Sequence, residues 1–143
     1  MKKLTKIFAL VLALAMMLMT GCGQKTYATA EEWYTANPVA ASFMEAAIAA
    51  EDGGDQMTFA ITGNTVIYGM EMEEEIFGES DELDAKYKEY FDAAFDAESA
   101  TYTQIITELS ELCGVPASDL SVRIEIFNPG ASEPGYTKTF TAQ

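Results

Sequence analysis

The sequence predicts an α+β domain: a two-layer sandwich in which a four-stranded antiparallel sheet carries both helical segments on one face. The elements follow the order helix, hairpin, helix, hairpin. The strands alternate apolar and polar residues, as is typical of a sheet with one buried face. Each helical segment has one apolar stripe that needs a sheet to cover it. A signal peptide is expected to precede this domain.

The N-terminus has the composition of a secretory leader. Lys2, Lys3 and Lys6 form a positive region, and an apolar run follows over 7–19. This run is too short to span a membrane comfortably, which favours a signal peptide over a transmembrane helix.

The leader ends in Met19-Thr20-Gly21-Cys22, which resembles the lipobox of bacterial lipoprotein precursors. Leu is more common where Met19 stands. The resemblance implies cleavage before Cys22 and lipidation of its thiol through a thioether linkage, with palmitate-type chains holding the protein to the bilayer. We therefore expect a signal peptide at 1–21, a lipidated cysteine and tether at 22–28, and one domain at 29–143. A plain signal peptide with an incidental cysteine and an uncleaved anchor are the alternatives.

The chain after the leader is strongly acidic. It keeps all 23 acids and five cations, which gives a net charge of −18. Such a surface repels nucleic acid, so no nucleic-acid partner is expected. It is compatible with metal cations or a basic partner, and equally with solvated faces that keep the protein monomeric.

The first helical segment is predicted to be kinked. Thr29 and Glu32 have the spacing of a capping box. Pro38 favours a new helix with Asn37 as its cap, so we predict a short helix and then a second one from Pro38 to about Glu51. The expected buried stripe of the second helix is Val39, Phe43, Ala46, Ala47 and Ala50, with Ile48 at its margin.

Residues 57–72 predict the first β-hairpin and its register. Gly63-Asn64 is a two-residue turn signal, in which Gly supplies the positive φ of a type II′ turn. The predicted pairs are Ile61 with Val66, Phe59 with Tyr68, and Met57 with Met70. A slip of one residue would move the apolar side chains to the other face.

An acid-rich stretch, residues 71–84, follows the hairpin. It contains Glu71, Glu73, Glu74, Glu75, Glu79, Asp81, Glu82 and Asp84. The alternating acids and central glycine of a calcium loop are missing, so no metal ligands are assigned. Several of these acids suit the first turn of a helix that Ser80 caps. Weak binding of cations at the surface is the alternative.

The second helical segment is predicted from Asp81 to about Cys113, with a bend near 96–101 where the sequence favours helix weakly. Gly114 and Pro116 end it. We expect Cys113 to be a small buried core residue, with a reactive thiol as the alternative. The expected buried stripe is Leu83, Tyr87, Phe91, Ala94, Tyr102, Ile105, Leu109 and Leu112.

The chain closes with a predicted second hairpin. Its strands are 120–127 and 136–141, and they flank a loop over 128–135 that is rich in Pro and Gly. Tyr136 and Phe140 are expected to face inward, with Lys138 at a sheet edge, where lysine discourages the addition of another strand.

Several turn and cap motifs together resemble a family of small uncharacterised lipoproteins from Gram-positive gut anaerobes, classed as a domain of unknown function. The motifs are Thr29-x-Glu31, Asn37-Pro38, Gly63-Asn64-Thr65-x-x-Tyr68, Gly114-Val115 and Val122-x-Ile124-x-Ile126-x-Asn128. The chain departs from the family in the acid-rich stretch and the loop over 128–135. The resemblance implies an extracytoplasmic lipoprotein at the cell membrane. It implies no activity and no functional residues.

The residue types present argue against an enzyme. The chain has no histidine, which removes Ser-His-acid and Cys-His arrangements and His-ligated zinc. It has no phosphate-binding glycine loop or dinucleotide fingerprint, so no cofactor is expected. Paired carboxylates remain possible among so many acids, but no two are marked as opposed.

The outward face of the sheet is the candidate binding surface. By the predicted register it presents Thr58, Ala60, Thr62, Thr65, Ile67, Arg123, Glu125, Phe127, Thr137 and Thr139. Ile67, Arg123 and Phe127 are the candidate binding residues, because they form an apolar and cationic spot among threonines. Ordinary solvated strands would show the same threonines. We expect a lipid-anchored, non-catalytic domain that binds a protein or peptide there; the alternative is a small-ligand or cation-binding lipoprotein that uses residues 71–84.

Overall fold

The structure is a computed structural model that describes residues 26–50 and 56–142. The leader, Cys22 and the predicted end of the second helix at about Glu51 lie outside these residues. Among them the helices are α1 (Ala30–Ala36), α2 (Pro38–Ala50), α3 (Asp81–Asp96) and α4 (Ser99–Cys113), and the strands are β1 (Met57–Thr62), β2 (Thr65–Glu71), β3 (Ser121–Phe127) and β4 (Tyr136–Thr141).

The first hairpin has the register that the sequence predicts. Ile61 pairs with Val66, Phe59 with Tyr68, and Met57 with Met70. Gly63 has a φ of 57°, whereas no described non-glycine residue has a positive φ, so the turn is type II′. Turn chemistry and apolar alternation thus specify one register together.

The sheet is mixed, so the prediction of an antiparallel sheet is wrong at one interface. Its order is β1-β2-β3-β4, and β2 and β3 run parallel, whereas the two hairpins are antiparallel. The reason is the crossover through α3 and α4. It returns the chain to the end of the sheet where β2 begins, and there the backbone N–H of Ser121 donates to the carbonyl of Asn64 at 3.0 Å.

One hydrophobic core joins all four helices to one face of the sheet. Alternate strand residues point into this core. β3 shows the alternation most clearly, since its Val122, Ile124 and Ile126 are buried. The helices contribute Trp33, Met44, Phe91, Phe95, Tyr102, Ile105, Ile106 and Leu109, among others. The predicted α+β architecture with helices on one face is therefore confirmed, and the other face of the sheet remains open.

The N-terminus of α1 docks on the turn of the first hairpin. The side-chain oxygen of Asn64 accepts from the N–H of Ala30 at 3.0 Å, and the N–H of Glu31 donates to the carbonyl of Gly63 at 2.9 Å. The Glu31 carboxylate in turn accepts from the N–H of Gly63. Two of the motifs that carry the family resemblance are therefore in contact with each other and have a structural role.

The cap predicted for α1 is confirmed, and the one predicted for α2 is not. The Thr29 hydroxyl accepts from the N–H of Glu32 at 3.1 Å, as a helix N-cap should. Asn37 donates its side-chain amide to the carbonyl of Trp33 at 2.7 Å, so it closes the end of α1 rather than capping α2.

The prediction of the buried stripe of α2 is wrong in part, because a different face of the helix packs on the core. Val39 is 80 % exposed and Phe43 is 45 % exposed, whereas Met44 is buried. Ala40, Ala47 and Ile48 pack against the core around Met44. Because eleven of the thirteen residues are apolar, the sequence pattern could not choose a face, and packing on β1 and α1 made the choice.

The long second helix is broken where the sequence predicts a bend. α3 ends at Asp96, and α4 begins at Ser99 after Glu98, which makes no side-chain cap bond. The second half of the predicted stripe is buried or partly buried, but Leu83 and Tyr87 are each 37 % exposed. Tyr87 packs on the ring of Phe77, which lies in the preceding loop.

No helix among residues 26–50 and 56–142 is long and apolar enough to cross a membrane.

Candidate functional site

The candidate site is the outer face, which we define as the sheet surface that the helices leave open. The pairing places its residues in rows that run across the four strands. The central row is Ala60, Ile67, Arg123 and Thr139, and the next is Thr58, Gly69, Glu125 and Thr137. All of the outward residues predicted from the sequence are exposed or half-buried, so the predicted face is confirmed.

Ile67 and Arg123 lie side by side on this face, since they are direct partners in the β2–β3 pairing. Arg123 also forms an ion pair with Glu125, in which Arg Nε and Glu Oε1 are 3.0 Å apart. The Glu125 side chain is only 18 % exposed. The spot predicted to be cationic is therefore charge-balanced, because an outward-facing carboxylate two residues along the strand compensates the arginine.

Phe127 lies near this pair, with its ring over the backbone of a glycine. A Cβ at Gly69 would lie 3.5 Å from Cε2 of Phe127 and 2.2 Å from Oγ1 of Thr58, so both side chains lean over the bare glycine backbone. Gly69 is two residues beyond Ile67 on the same strand face. Ile67, Arg123 and Phe127 thus surround one shallow region, which we call the Gly69 patch.

Hydroxyl groups surround the Gly69 patch. The row at the turn end of the sheet is Thr62, Thr65, Ser121 and Thr141, and the hydroxyls of Thr65 and Ser121 are 3.0 Å apart. The patch and its surroundings can offer apolar contact, hydroxyl hydrogen bonds and one paired charge.

The acid-rich stretch is positioned by Asn128, which the sequence placed only in a loop. Its side-chain oxygen accepts from the N–H groups of Ile76 at 2.9 Å and Phe77 at 3.1 Å, and its amide nitrogen donates to the Phe77 carbonyl at 2.8 Å. Asp84 accepts from the N–H of Gly78 at 2.8 Å. Nowhere in the described part of the chain do three acids or cysteines come close enough to hold a metal ion.

Cys113 is buried and free, as the sequence predicts. Burial raises the pKa of its thiol, which disfavours the reactive thiolate.

Two polar features of the structure were missed from the sequence. The hydroxyls of Tyr68 and Tyr102 are fully buried, and neither has a hydrogen-bond partner among the described residues. Burial raises the pKa of both phenols. The alternation of the strand marked Tyr68 as core and the helical stripe marked Tyr102 as core, but neither pattern indicated where the hydroxyl would lie.

The second missed feature is a cluster at the β4 end of the helix layer. The Asp92 carboxylate accepts from the Tyr136 hydroxyl at 2.8 Å. Nζ of Lys138 lies 3.2 Å from Oδ1 of Asp92 and 2.8 Å from Oδ1 of Asp96. These hydrogen bonds, first from Tyr136 and then from Lys138, lower the pKa of Asp92. The i, i+4 spacing of the two aspartates was the available signal, because it places both on one helix face.

Fold and surface together define a small two-layer α+β domain with a mixed sheet, one face of which is open and carries a charge-balanced apolar patch. The chain belongs to a family described as a domain of unknown function, DUF4854, whose model matches residues 31–139. No curated protein and no solved structure matches it. This match confirms one part of the resemblance deduced from the turn and cap motifs, namely that the chain belongs to a family classed as a domain of unknown function.

Proposed function

We propose that this chain is an extracytoplasmic lipoprotein domain, held to the outer face of the cell membrane through lipidated Cys22, and that it binds a protein or peptide partner through the outer face. In this proposal it is not an enzyme and needs no cofactor. The observation that carries the binding role is the Gly69 patch on a face that the helices leave open.

Anchoring rests on the leader and on the length of the tether. Lys2, Lys3, Lys6 and the apolar run over 7–19 lead to Met19-Thr20-Gly21-Cys22. Only 23–25 separate Cys22 from Thr26, which at full extension is a reach of about 14 Å. A lipid at Cys22 would therefore hold the domain close to the bilayer.

The contacts of Thr26 and Tyr27 support one end of the domain as the end that would face the membrane. The backbone N–H of Tyr27 donates to the carbonyl of Cys113 at 2.8 Å, and Thr26 lies against Gly114. This is the end of the sheet where Ser121 bonds to the first hairpin turn. The acid-rich stretch follows the opposite end of β2 and would point away from the bilayer, and the outer face would stand accessible at the side.

The Gly69 patch suits a macromolecular partner for electrostatic reasons. The chain after the leader has a net charge of −18, but the patch combines Ile67, Phe127 and an arginine whose charge Glu125 balances. A partner docking there would desolvate apolar groups without burying an unpaired charge, which is the costly event at an interface.

Capture from the cell envelope tests the binding role. We expect the double variant Arg123→Glu/Phe127→Ala to lose a partner that the wild-type protein retains, while circular dichroism shows that the variant is folded at the temperature of the assay. Ser42→Glu, on the exposed side of α2, is the matched control and should retain it. If the double variant captures the same partner as wild type, the outer face is not the binding surface.

Anchoring is tested separately by fractionation. Cys22→Ala should move the protein from the membrane fraction to the soluble fraction. If the variant stays with membranes, the N-terminal segment acts as an uncleaved anchor.

A further inference from the structure

The sheet has two edges. β1 is one edge, where the inward residues are buried or half-buried under α1 and α2 and the outward residues are exposed, the same alternation as in β4. β4 is the other edge, where Thr137, Thr139 and Thr141 are all exposed. Proteins usually protect such edges, because unpaired backbone groups can bind another strand.

The hydrogen-bond pattern shows which backbone groups are unpaired on β4. Ser121 donates to Asn64 and Met72 donates to the carbonyl of Phe127, so the odd-numbered residues of β3 bond to β2. The even-numbered residues of β3 therefore bond to β4, and Ile124 pairs with Lys138. The N–H and C=O groups of Thr137 and Thr139 consequently point away from the sheet, and within the described ranges no residue bonds to them.

The lysine expected to guard this edge is sequestered. Lys138 faces the helix layer, where its ammonium lies between Asp92 and Asp96 and its side chain is 18 % exposed. Lys138 therefore lies on an edge strand, as predicted, and its charge is paired with the helix layer. A strand added to β4 would cover a lysine that already has two carboxylate partners, which costs far less than covering an unpaired one.

Helix α3 runs beside the same strand. Its Phe91 and Phe95 rings lie 5.2 Å and 6.0 Å from the Tyr136 ring. Phe77, which packs on half-exposed Tyr87, lies against Gly135 just before β4. An exposed strand edge next to a helix with half-exposed apolar groups is the arrangement in which domains bind extended peptides by strand addition.

The charge of α3 selects among possible occupants. The helix carries six acids and two lysines, and the acid-rich stretch leads into it. A second copy of this chain would bring another acidic helix against the first. A segment rich in Lys or Arg would instead be attracted.

We propose that the edge of β4 and the adjoining face of α3 form a docking groove for an extended basic segment of a partner protein. The segment adds as a fifth strand by hydrogen bonding to the backbone of Thr137 and Thr139, and its basic side chains meet the acids of α3. This groove is distinct from the Gly69 patch and does not depend on it.

The test uses the purified domain and two fluorescent probe peptides, one of alternating Val and Lys and one of alternating Val and Glu. Thr139→Pro removes the outward N–H without breaking a bond to β3, and proline is tolerated at such edge positions. Thr139→Ala is the matched control, since it keeps the N–H. Glu82→Lys/Glu89→Lys, at exposed positions of α3, tests the charge of the groove without touching the strand.

We expect fluorescence anisotropy to show that the wild-type domain binds the basic peptide. The affinity should be at least tenfold lower for Thr139→Pro and for the double lysine variant, and within twofold of wild type for Thr139→Ala. The amides of Thr137 and Thr139 should exchange more slowly with the peptide bound. The inference is overturned if the basic peptide does not bind, if the acidic peptide binds equally well, or if a folded Thr139→Pro domain binds as wild type does. If the domain instead forms concentration-dependent dimers that Thr139→Pro abolishes, a second copy of this chain binds the β4 edge, and the inference is overturned as well.

Discussion

Asn128 offers the sharpest test of how the fold is held together. Its side chain makes three hydrogen bonds to the backbone of Ile76 and Phe77, at 2.8–3.1 Å, and the site is partly buried. These bonds fix the acid-rich stretch to the end of β3 and place the Phe77 ring in the core, where it contacts Phe91. Asn128 is also one of the residues that carry the family resemblance.

The expected cost of Asn128→Ala is about 2–4 kcal/mol of unfolding free energy, because each lost hydrogen bond contributes about 1 kcal/mol and two backbone N–H groups lose their acceptor. Asn128→Asp keeps both acceptor bonds but loses the donation to the Phe77 carbonyl. We expect it to cost about 1–2 kcal/mol. Urea unfolding followed by circular dichroism measures both values.

Glu133→Ala is the control, since this residue is exposed in the neighbouring loop and should change stability by less than about 0.5 kcal/mol. A loss for Asn128→Ala as small as that of the control would refute the reasoning, because the stretch would then be held by the packing of Phe77 alone. The same result would remove the structural explanation for this part of the family motif.

Three further predictions concern the sheet, the pH dependence and the thiol. Gly69→Ala should destabilise the domain, because its new Cβ would lie 2.2 Å from Oγ1 of Thr58, and adding Thr58→Ala should recover most of the lost melting temperature; no recovery would mean that the clash lies elsewhere. The pKa of Asp92 is lowered below its ordinary value of 3.8, so the stability that it contributes is present above that pH and is lost as the pH falls below it. The difference in melting temperature between wild type and Asp92→Asn should therefore shrink as the pH falls through 3.8, and a constant difference would contradict the hydrogen bonds that Tyr136 and Lys138 donate to Asp92. Cys113 should react with a thiol reagent only at the rate of unfolding, and rapid modification of the native protein would show that it is accessible.

Local sequence rules were sufficient wherever turn chemistry and periodicity agree. The first hairpin is the clearest case, since the Gly63-Asn64 turn and the alternation of apolar residues allow one register only. The bounds of β4, the cap at Thr29 and the break between α3 and α4 follow from similar local signals. The outer face and its three candidate residues follow from the register by alternation.

Long-range features were not available from such rules. The direction of β3 depends on where the α3–α4 crossover returns the chain, which no local pattern encodes. The face of α2 could not be chosen because the helix is apolar almost all round. The pairing of Arg123 with Glu125 was overlooked although both residues were assigned to one face, and the bonds of Lys138 to Asp92 and Asp96 required the packing of α3 on β4.

The most direct test of the binding role is photocrosslinking in intact cells from positions 67 and 127, with position 42 as the control on the opposite layer. The proposal predicts one adduct of the same mass and identity from both Ile67 and Phe127, and none from Ser42. No adduct from either sheet position, or the same adduct from position 42, would contradict a partner on the outer face.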